Sequence, residues 1–381
     1  MKIGVLCYPT FGGSGVVATE LGMALANKGH QVHFISYKQP VRLNHFNQNI
    51  FFHEVIEPDY ALFEQMPYES ALVSTIVDVA TSVHLDVLHV HYAIPHAAVG
   101  FMAREILQEK GMYLPIVTTL HGTDITLVGK RRAFAPIVEF SINHSDAVTA
   151  VSNDLRNQTL EFFQINQAIE VIYNFIDFNR FKAQDKSHFK QVIAPHGEKI
   201  LIHTSNFRKV KRISDILEVF QKLRAEIPVK LLLVGDGPER QRYERMCREF
   251  GFAADVFFLG KQQAVEELLS IADLFIMASE KESFGLAALE ALACGVPLIT
   301  SNAGGLKEVN QDGYTGFLSD VGDVEDMARN ALELLNDHEK LETFRENALA
   351  YANEFSIDKI VPQYEQVYQM AIEKSASVVQ E

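Results

Sequence analysis

Cysteine is scarce in this chain of 381 residues: Cys7, Cys247 and Cys294 are the only three, each in an apolar or helical context and none at metal-ligand spacing. That excludes a disulfide framework and reads as reduced, buried thiols. Positive charge is also in deficit. Against 49 acidic residues stand 34 lysines and arginines, a net charge of −15. Nucleic acid and anionic membranes select basic surfaces, so neither is expected as the main partner. No apolar run approaches the ~20 residues of a membrane span. No amphipathic basic helix stands out either, which argues against stable membrane association. The opening run Met1–Cys7 is too short, and too soon followed by Pro9 and Gly12, for a signal peptide. Repeats, low-complexity tracts and coiled-coil heptads are lacking as well. These absences lead to the expectation of a cytoplasmic globular protein; a homodimer is compatible with the sequence, which does not fix the oligomeric state.

What is present suits two domains. The length fits a pair of roughly 150–200 residues each, and 48% hydrophobic with 22% charged residues suffices for proper cores. Lys2–Tyr8 is a short apolar run, followed by Gly12-Gly13-Ser14-Gly15 and a helical pattern through Val16, Glu20, Leu21, Ala24 and Leu25 to a stop at Lys28-Gly29. Gln31–Tyr37 is the next strand. Strand, glycine loop, helix, strand opens a doubly wound α/β domain. Strands at Val87–His91, Pro115–His121, Ala147–Ser152 and Val171–Asn174 continue it, with a helix over most of Ile94–Lys110. Ser152 is placed to cap a helix starting near Asp154. From Phe175 to Gly197 the pattern loosens into polar and basic residues, the expected crossing to a second α/β domain. That domain begins at Lys199–His203 and includes strands Val229–Val234, Val256–Leu259, Leu274–Met277 and Pro297–Thr300. A last helix, about Lys359–Lys374, carries Ile360, Tyr364, Val367 and Ala371 at helical spacing and can pack back on the first domain. The expected division is 1–175 with a returning helix at 357–381, and 176–356.

Three stretches invite chemistry. The first is Glu282 to Pro297: a loop, a short helix apolar from Leu286 to Ala293 except for Glu290, and a stop at Gly295 and Pro297. A carboxylate on a buried helix is costly without hydrogen-bond donors. The amides at the helix start, around Gly285, favour an anion such as a diphosphate. Glu282 and Glu290 on either side would repel a bare phosphate, yet suit hydroxyls flanking a diphosphate, as in a nucleotide-sugar. The second is Ser205 to Arg212, where four cations in five residues follow a strand. Arg offers a fork matched to phosphate and Lys a point charge; a solvated basic turn is the plainer alternative. The third is the carboxyl edge of the first domain, where open α/β sheets bind ligands. His89 and His91 share a strand face there without a third metal ligand at obvious spacing, and His121 is followed by Gly122, in a turn that Asp124 can anchor. Gly235-Asp236-Gly237-Pro238 reads as plain turn chemistry.

With these pieces placed, the chain resembles the retaining family 4 glycosyltransferases of GT-B fold over essentially its whole length. Glu282 to Glu290 matches the family's E-x7-E signature. Ser301 to Glu308 and Gly313 to Leu318 follow in the expected order, and Asn174-Phe175-Ile176-Asp177 is similar to its interdomain Asn-Gly-Ile-Asp. One departure stands out: Lys211 matches the family lysine, but Asn206 occupies the place of the usual arginine, with Arg208 near enough to replace it. The resemblance implies two Rossmann-like domains facing across a cleft, and a UDP-sugar-dependent transferase needing no cofactor and no metal. It implies donor contacts from Gly15, Asn206, Arg208, Lys211, Glu282, Ser283, Phe284, Gly285, Leu286 and Glu290, with His121, Glu282, Arg208 and Lys211 acting in catalysis. Acceptor contacts would come from Ser14, Tyr92, Thr119, Asn153 and Asn174. A narrower resemblance, through Cys7–Gly15, His91–His96, Thr118–Thr126 and Asn206–Arg212, is to members that join N-acetylglucosamine from UDP-N-acetylglucosamine to L-malate in bacillithiol synthesis. The alternatives are a family member with another acceptor (inositol phosphate, a lipid or a polysaccharide), a nucleotide-sugar sensor without turnover, and a dinucleotide enzyme. The last leaves Glu282, Glu290 and the basic turn unexplained.

Overall fold

The computed structural model describes residues 1–10, 12–43, 46–56, 68–129 and 131–378; Phe11 of the glycine-loop motif and the end of the 357–381 segment lie outside them. The chain divides into two compact units, Met1–Asn174 with Asp358–Glu381, and Phe175–Ile357.

The first unit is built on a parallel sheet of β1 (Lys2–Leu6), β2 (Gln31–Ser36), β3 (Ile50–Glu54), β4 (Val87–His91), β5 (Ile116–Leu120), β6 (Ala147–Ala150) and β7 (Glu170–Val171), in the order β3-β2-β1-β4-β5-β6-β7. Every residue of β4 and β5 is buried, the polar His89, His91, Thr118 and Thr119 included, as in strands of a parallel sheet covered on both faces. One face packs Leu88, Val90 and Ile116 against Leu72, Ile76 and Val79 of the helix Tyr68–Val83, and against Ala103 and Leu107 of the helix Ala98–Gln108. The C-terminal helix, Ile357–Val378, buries Tyr364, Val367, Tyr368 and Ala371. Its Tyr368 hydroxyl bonds His89 Nδ1 at 2.8 Å, tying that helix to β4.

The second unit repeats the plan with β8 (Lys199–Ser205), β9 (Val229–Gly235), β10 (Val256–Gly260), β11 (Leu274–Met277), β12 (Leu298–Ser301) and β13 (Gly316–Ser319), all parallel, in the order β10-β9-β8-β11-β12-β13. Its core joins Leu201, Leu231, Leu233 and Ile276 of the sheet to Ile216, Phe220 and Leu223 of the helix Ile213–Glu226. Each such side chain contributes about 1.5–3 kcal/mol by leaving water.

In both sheets the order reverses once, between β1 and β4 and between β8 and β11. At such a switch point the loops leaving the two strands run in opposite directions and open a crevice at their carboxyl ends. The loops concerned are Cys7–Gly12 and the turn after His91 in the first unit, and Asn206–Arg212 and Ala278–Gly285 in the second.

Several elements are not anticipated by the sequence pattern. β3 is an edge strand with an apolar run of only Ile50-Phe51-Phe52, of which Phe51 and Phe52 are exposed. The helices Tyr68–Val83 and Ala135–Asn143 and the strand β13 are likewise additions. The helix expected from Ile94 starts at Ala98, after a wide turn over Ala93–Ala97; Pro95 lacks an amide hydrogen and does not suit a helix interior. Ser152 does cap the following helix, accepting from the Leu155 amide at 3.0 Å. No helix among the described residues is long and apolar enough to cross a membrane.

Candidate active site

The second unit's switch point brings its two charged loops together. The Glu280 amide donates to the Val210 carbonyl at 2.8 Å, stitching the loop after β11 to the loop after β8. Across that stitch Lys211 Nζ forms an ion pair with Glu282 Oε1, and Ser279 Oγ donates to the same oxygen at 2.8 Å. The two side chains are 18% and 12% exposed, sheltered yet reachable by a ligand. Behind them His203 donates through Nδ1 to the Ile276 carbonyl at 2.8 Å, while Nε2 meets Ser205 Oγ at 2.8 Å. Burial pulls its pKa down to about 4, so the ring is a neutral support. The four cations after β8 divide. Arg212 pairs with Asp215 at 2.7 Å, and Lys211 with Glu282. Arg208 and Lys209 are exposed, and neither has an ion-pair partner among the described residues. Asn206 is exposed as well, its carbonyl approached by Gly237: a Cβ there would meet the Asn206 oxygen at 2.0 Å. The Gly235–Gly237 turn is thus a packing device against the basic loop.

The E-x7-E stretch folds as expected into a loop and the helix Leu286–Ala293. Gly285 begins it at φ +101°, where a Cβ would also strike Leu306 Cδ2 at 2.6 Å; only glycine fits both demands. The Ala288 and Leu289 amides both turn to the Gly285 carbonyl, at 2.9 and 3.1 Å. The amides before them have no acceptor within the helix by construction, which makes this terminus suited to an anion. Residues 288–293, Glu290 among them, are buried, whereas Leu286 and Ala287 remain partly exposed. Phe284 is buried edge-on against Phe355, with centroids 5.8 Å apart, and Ser283 is partly exposed beside it. The Ser301–Glu308 motif supports this loop, since the Gly305 amide donates to the Glu282 carbonyl at 2.9 Å. Burial, and then the Glu290 carboxylate, push the Cys294 thiol up to about 12, which makes it no nucleophile.

In the first unit the matching loops are also bridged. Ser14 Oγ, near the start of the helix Gly13–Asn27, lies 2.5 Å from the hydroxyl of Tyr92, the residue after β4. Gly15 is buried; a Cβ would meet the Tyr8 and Thr10 carbonyls at 2.6 and 2.5 Å, so glycine lets the loop fold over the helix start. Tyr92 sits at φ +90°, a conformation held by its amide bond to the Thr119 carbonyl at 2.9 Å. Asp124 fixes the neighbouring turns, its oxygens accepting from the Ala93 and Gly122 amides, both at 2.9 Å. Burial raises its carboxyl to about 6 despite those amides.

Between these loops lies a buried histidine cluster. His91 Nδ1 and His121 Nε2 are 2.8 Å apart, the His89 and His91 ring centroids 4.3 Å apart, and His96 Nδ1 faces the His91 carbonyl at 2.6 Å. Burial pulls His89 and His121 down to about 3, His96 to about 4, and His91 well below the usual imidazole range. All four rings are neutral near pH 7. Among the described residues no group of three or more His, Cys, Asp or Glu is arranged to hold a metal ion.

Two of the residues expected on the acceptor side have polar groups engaged within the first unit. Thr119 is fully buried, and its hydroxyl bonds His89 Nε2 and Thr149 Oγ1, both at 2.7 Å, so it braces the cluster. The Asn153 amide is occupied by the Tyr173 hydroxyl at 2.7 Å. Asn174 is buried, and its Oδ1 lacks a partner among the described residues. Sequence reasoning missed Ser279, the pairing of His91 with His121, and Tyr368. The first could have been found from its place at the end of β11; the others depend on neighbouring strands and on a helix far along the chain.

Comparison with known proteins agrees with this plan. Residues 11–180 match the family model described as Glycosyltransferase Family 4, and residues 184–350 that described as Glycosyl transferases group 1. The chain is 48% identical over 370 residues to N-acetyl-alpha-D-glucosaminyl L-malate synthase of Bacillus anthracis, covering 97% of this chain and 96% of that protein. It is 26% identical over 365 residues to an uncharacterized glycosyltransferase of Methanocaldococcus jannaschii, covering 95% of each. Among solved structures, Anabaena HepE in complex with UDP and glucose superposes with a TM-score of 0.81 at 22% identity, covering 97% of this chain and 99% of that one. Two parallel α/β units, a fold shared with such enzymes, and near full-length identity of 48% lead to one conclusion: the chain belongs to the family 4, group 1 glycosyltransferases.

Proposed function

We propose that the protein transfers N-acetylglucosamine from UDP-N-acetylglucosamine to the hydroxyl of L-malate with retention of anomeric configuration, the opening step of bacillithiol synthesis. The carrying observation is the 48% identity over 97% of the chain to N-acetyl-alpha-D-glucosaminyl L-malate synthase of Bacillus anthracis. The Lys211–Glu282 arrangement beside the Leu286 helix start supports the donor half. In this reading Glu290 holds the ribose hydroxyls and Glu282 the sugar hydroxyls. Lys211, Arg208 and the amides at Gly285 and Leu286 take the diphosphate, with Asn206, Ser283 and Phe284 shaping its surroundings. The loop at Gly15 contributes amides from the first unit.

The acceptor hydroxyl attacks the anomeric carbon on the face that the diphosphate leaves. The carbon–oxygen bond to the β-phosphate breaks, its electron pair departs with UDP, and a phosphate oxygen takes the hydroxyl proton. Stabilising the developing charge on UDP is the largest catalytic contribution asked of the protein, and Lys211, Arg208 and the helix amides supply it without a metal. His121, neutral through burial, positions the sugar rather than acting as a strong base. Malate is a small dianion; Ser14, Tyr92 and the Gly12–Gly15 amides are the groups assigned to it, with Asn153 and Asn174 nearby and Thr119 behind. The proposal further takes the enzyme to be cytoplasmic, free of nucleic acid and of stable membrane association, with a homodimer compatible.

The test is UDP release from UDP-N-acetylglucosamine across an acceptor panel of L-malate, D-malate, inositol phosphate and a lipid acceptor, with and without exhaustive chelation. L-malate should stimulate release and chelation should leave it intact. Equal release with every acceptor would overturn the acceptor assignment, and dependence on added metal would overturn the metal-free account.

A further inference from the structure

Taking His121 as the residue that meets the donor sugar, we propose that His91 is a positioning residue which fixes His121 as the Nδ1–H tautomer, so that His121 meets the sugar as a hydrogen-bond donor. The inference rests on the proposed function only for the identity of the ligand. Its structural part stands on the histidine cluster itself.

His91 ends β4 and His121 follows β5, the strand paired with it, so the sheet brings the two rings to hydrogen-bond distance, 2.8 Å from His91 Nδ1 to His121 Nε2. Both rings are neutral, because burial disfavours the charged form. Between neutral imidazoles one nitrogen donates and the other accepts, and two arrangements exist. If His121 donated through Nε2, the His91 proton would sit on its own Nε2. That atom is buried without a partner among the described residues, so an N–H donor would be orphaned. If His91 donates through Nδ1, its Nε2 carries only a lone pair. Orphaned buried N–H groups are rare, and under-satisfied acceptors are less so. The second arrangement is therefore favoured, and it leaves the His121 proton on Nδ1.

The adjacent His96 shows the same solution. Its Nδ1 faces the His91 carbonyl at 2.6 Å and must donate there, which leaves a bare Nε2 that is also buried without a partner among the described residues. The geometry is braced from behind. His89, whose ring centroid is 4.3 Å from that of His91, is held at one nitrogen by the Tyr368 hydroxyl at 2.8 Å and at the other by Thr119 Oγ1 at 2.7 Å. His121 Nδ1 takes no partner among the described residues and, unlike His91 Nε2 and His96 Nε2, is not fully buried, so its N–H is left for a sugar oxygen.

Two-bond proton–nitrogen correlation spectra of the full chain labelled with ¹⁵N-histidine, recorded near pH 7.5, read the tautomer without reference to activity. His121→Asn assigns the signals. The expected spectrum shows His121 protonated on Nδ1 and bare on Nε2; a wild-type His121 protonated on Nε2 overturns the proposal, whether or not the His91 variants fold. His91→Phe should shift or mix the His121 tautomer and lower kcat about tenfold, the size of one lost hydrogen bond, while UDP affinity stays unchanged. His91→Asn, which keeps an N–H donor, should recover part of that loss. An unchanged spectrum and unchanged kcat in His91→Phe would also overturn it. Absence of sugar transfer with the predicted tautomer intact would instead refute the proposed function.

Discussion

Replacing Glu282 with alanine separates the two halves of donor recognition. In the structure Glu282 Oε1 is shared by Lys211 Nζ and Ser279 Oγ, and the carboxylate is only 12% exposed. A sugar hydroxyl donating to a carboxylate makes a charged hydrogen bond of about 1.5–3 kcal/mol. Two such bonds, one to each oxygen, set the expected fall in kcat/KM with UDP-N-acetylglucosamine at roughly 10²- to 10⁴-fold. UDP alone has no sugar to lose. Removing Glu282 also releases Lys211 from a sheltered ion pair worth about 1 kcal/mol, so UDP should bind as before or up to about fivefold tighter. Calorimetric titration with UDP and with UDP-N-acetylglucosamine, beside a coupled assay of UDP release, reads both quantities. Parallel weakening of UDP and of turnover would refute the reasoning, because Glu282 would then serve the diphosphate site or the local fold rather than the sugar.

Lys211→Ala should weaken UDP about 10- to 100-fold, the value of a charge-assisted bond to phosphate; unchanged UDP affinity and turnover in the same titration would contradict the diphosphate assignment. Gly285→Ala should cost about 2–4 kcal/mol of stability, since it meets both a left-handed backbone and a 2.6 Å approach to Leu306; urea denaturation would show a lower midpoint with the slope unchanged. Stability should fall with acidity below pH 6.5. His89, His96, His121 and His203 have folded pKa values of about 3 to 4, so between 6.5 and 4 the unfolded chain binds more protons and the stability present above 6.5 is lost as pH falls. Rings that take up protons in the unfolded chain but not in the folded one make the loss steep near pH 5. Asp124, raised to about 6, opposes it between pH 4 and 6, where the folded chain binds its proton and the unfolded chain does not. Thermal melts from pH 7.5 to 5 should show a steep drop, and a flat profile would contradict the buried, neutral cluster.

Much of this was legible because the chemistry sits at strand ends. Leu274–Met277 and Ile200–Ile202 are continuous apolar runs of the kind a covered parallel sheet takes, and the loop leaving the carboxyl end of each strand marks a ligand edge. Lys211 and Glu282 meet because β8 and β11 are neighbours at the switch point, 71 residues apart in sequence. The sequence names both residues but not their contact. The edge strand β3 escaped because its apolar run, Ile50-Phe51-Phe52, is short and passes at once into His53 and Glu54. The histidine cluster escaped for a different reason. His91 and His121 read separately as a metal candidate and a strand-end bonder, and the sheet register that pairs their strands is a tertiary fact. Thr119 shows what a strand-end position leaves out: its hydroxyl bonds His89 and Thr149, partners on the two flanking strands that the sequence does not pair with it.

The central claim is tested most directly by following UDP-N-acetylglucosamine and L-malate by proton NMR with the purified enzyme. The account predicts malate-dependent UDP formation, with an equal amount of a product whose anomeric proton shows the small coupling of an α-linked sugar from the first turnovers. A β-linked product, or UDP formation indifferent to malate, would contradict it.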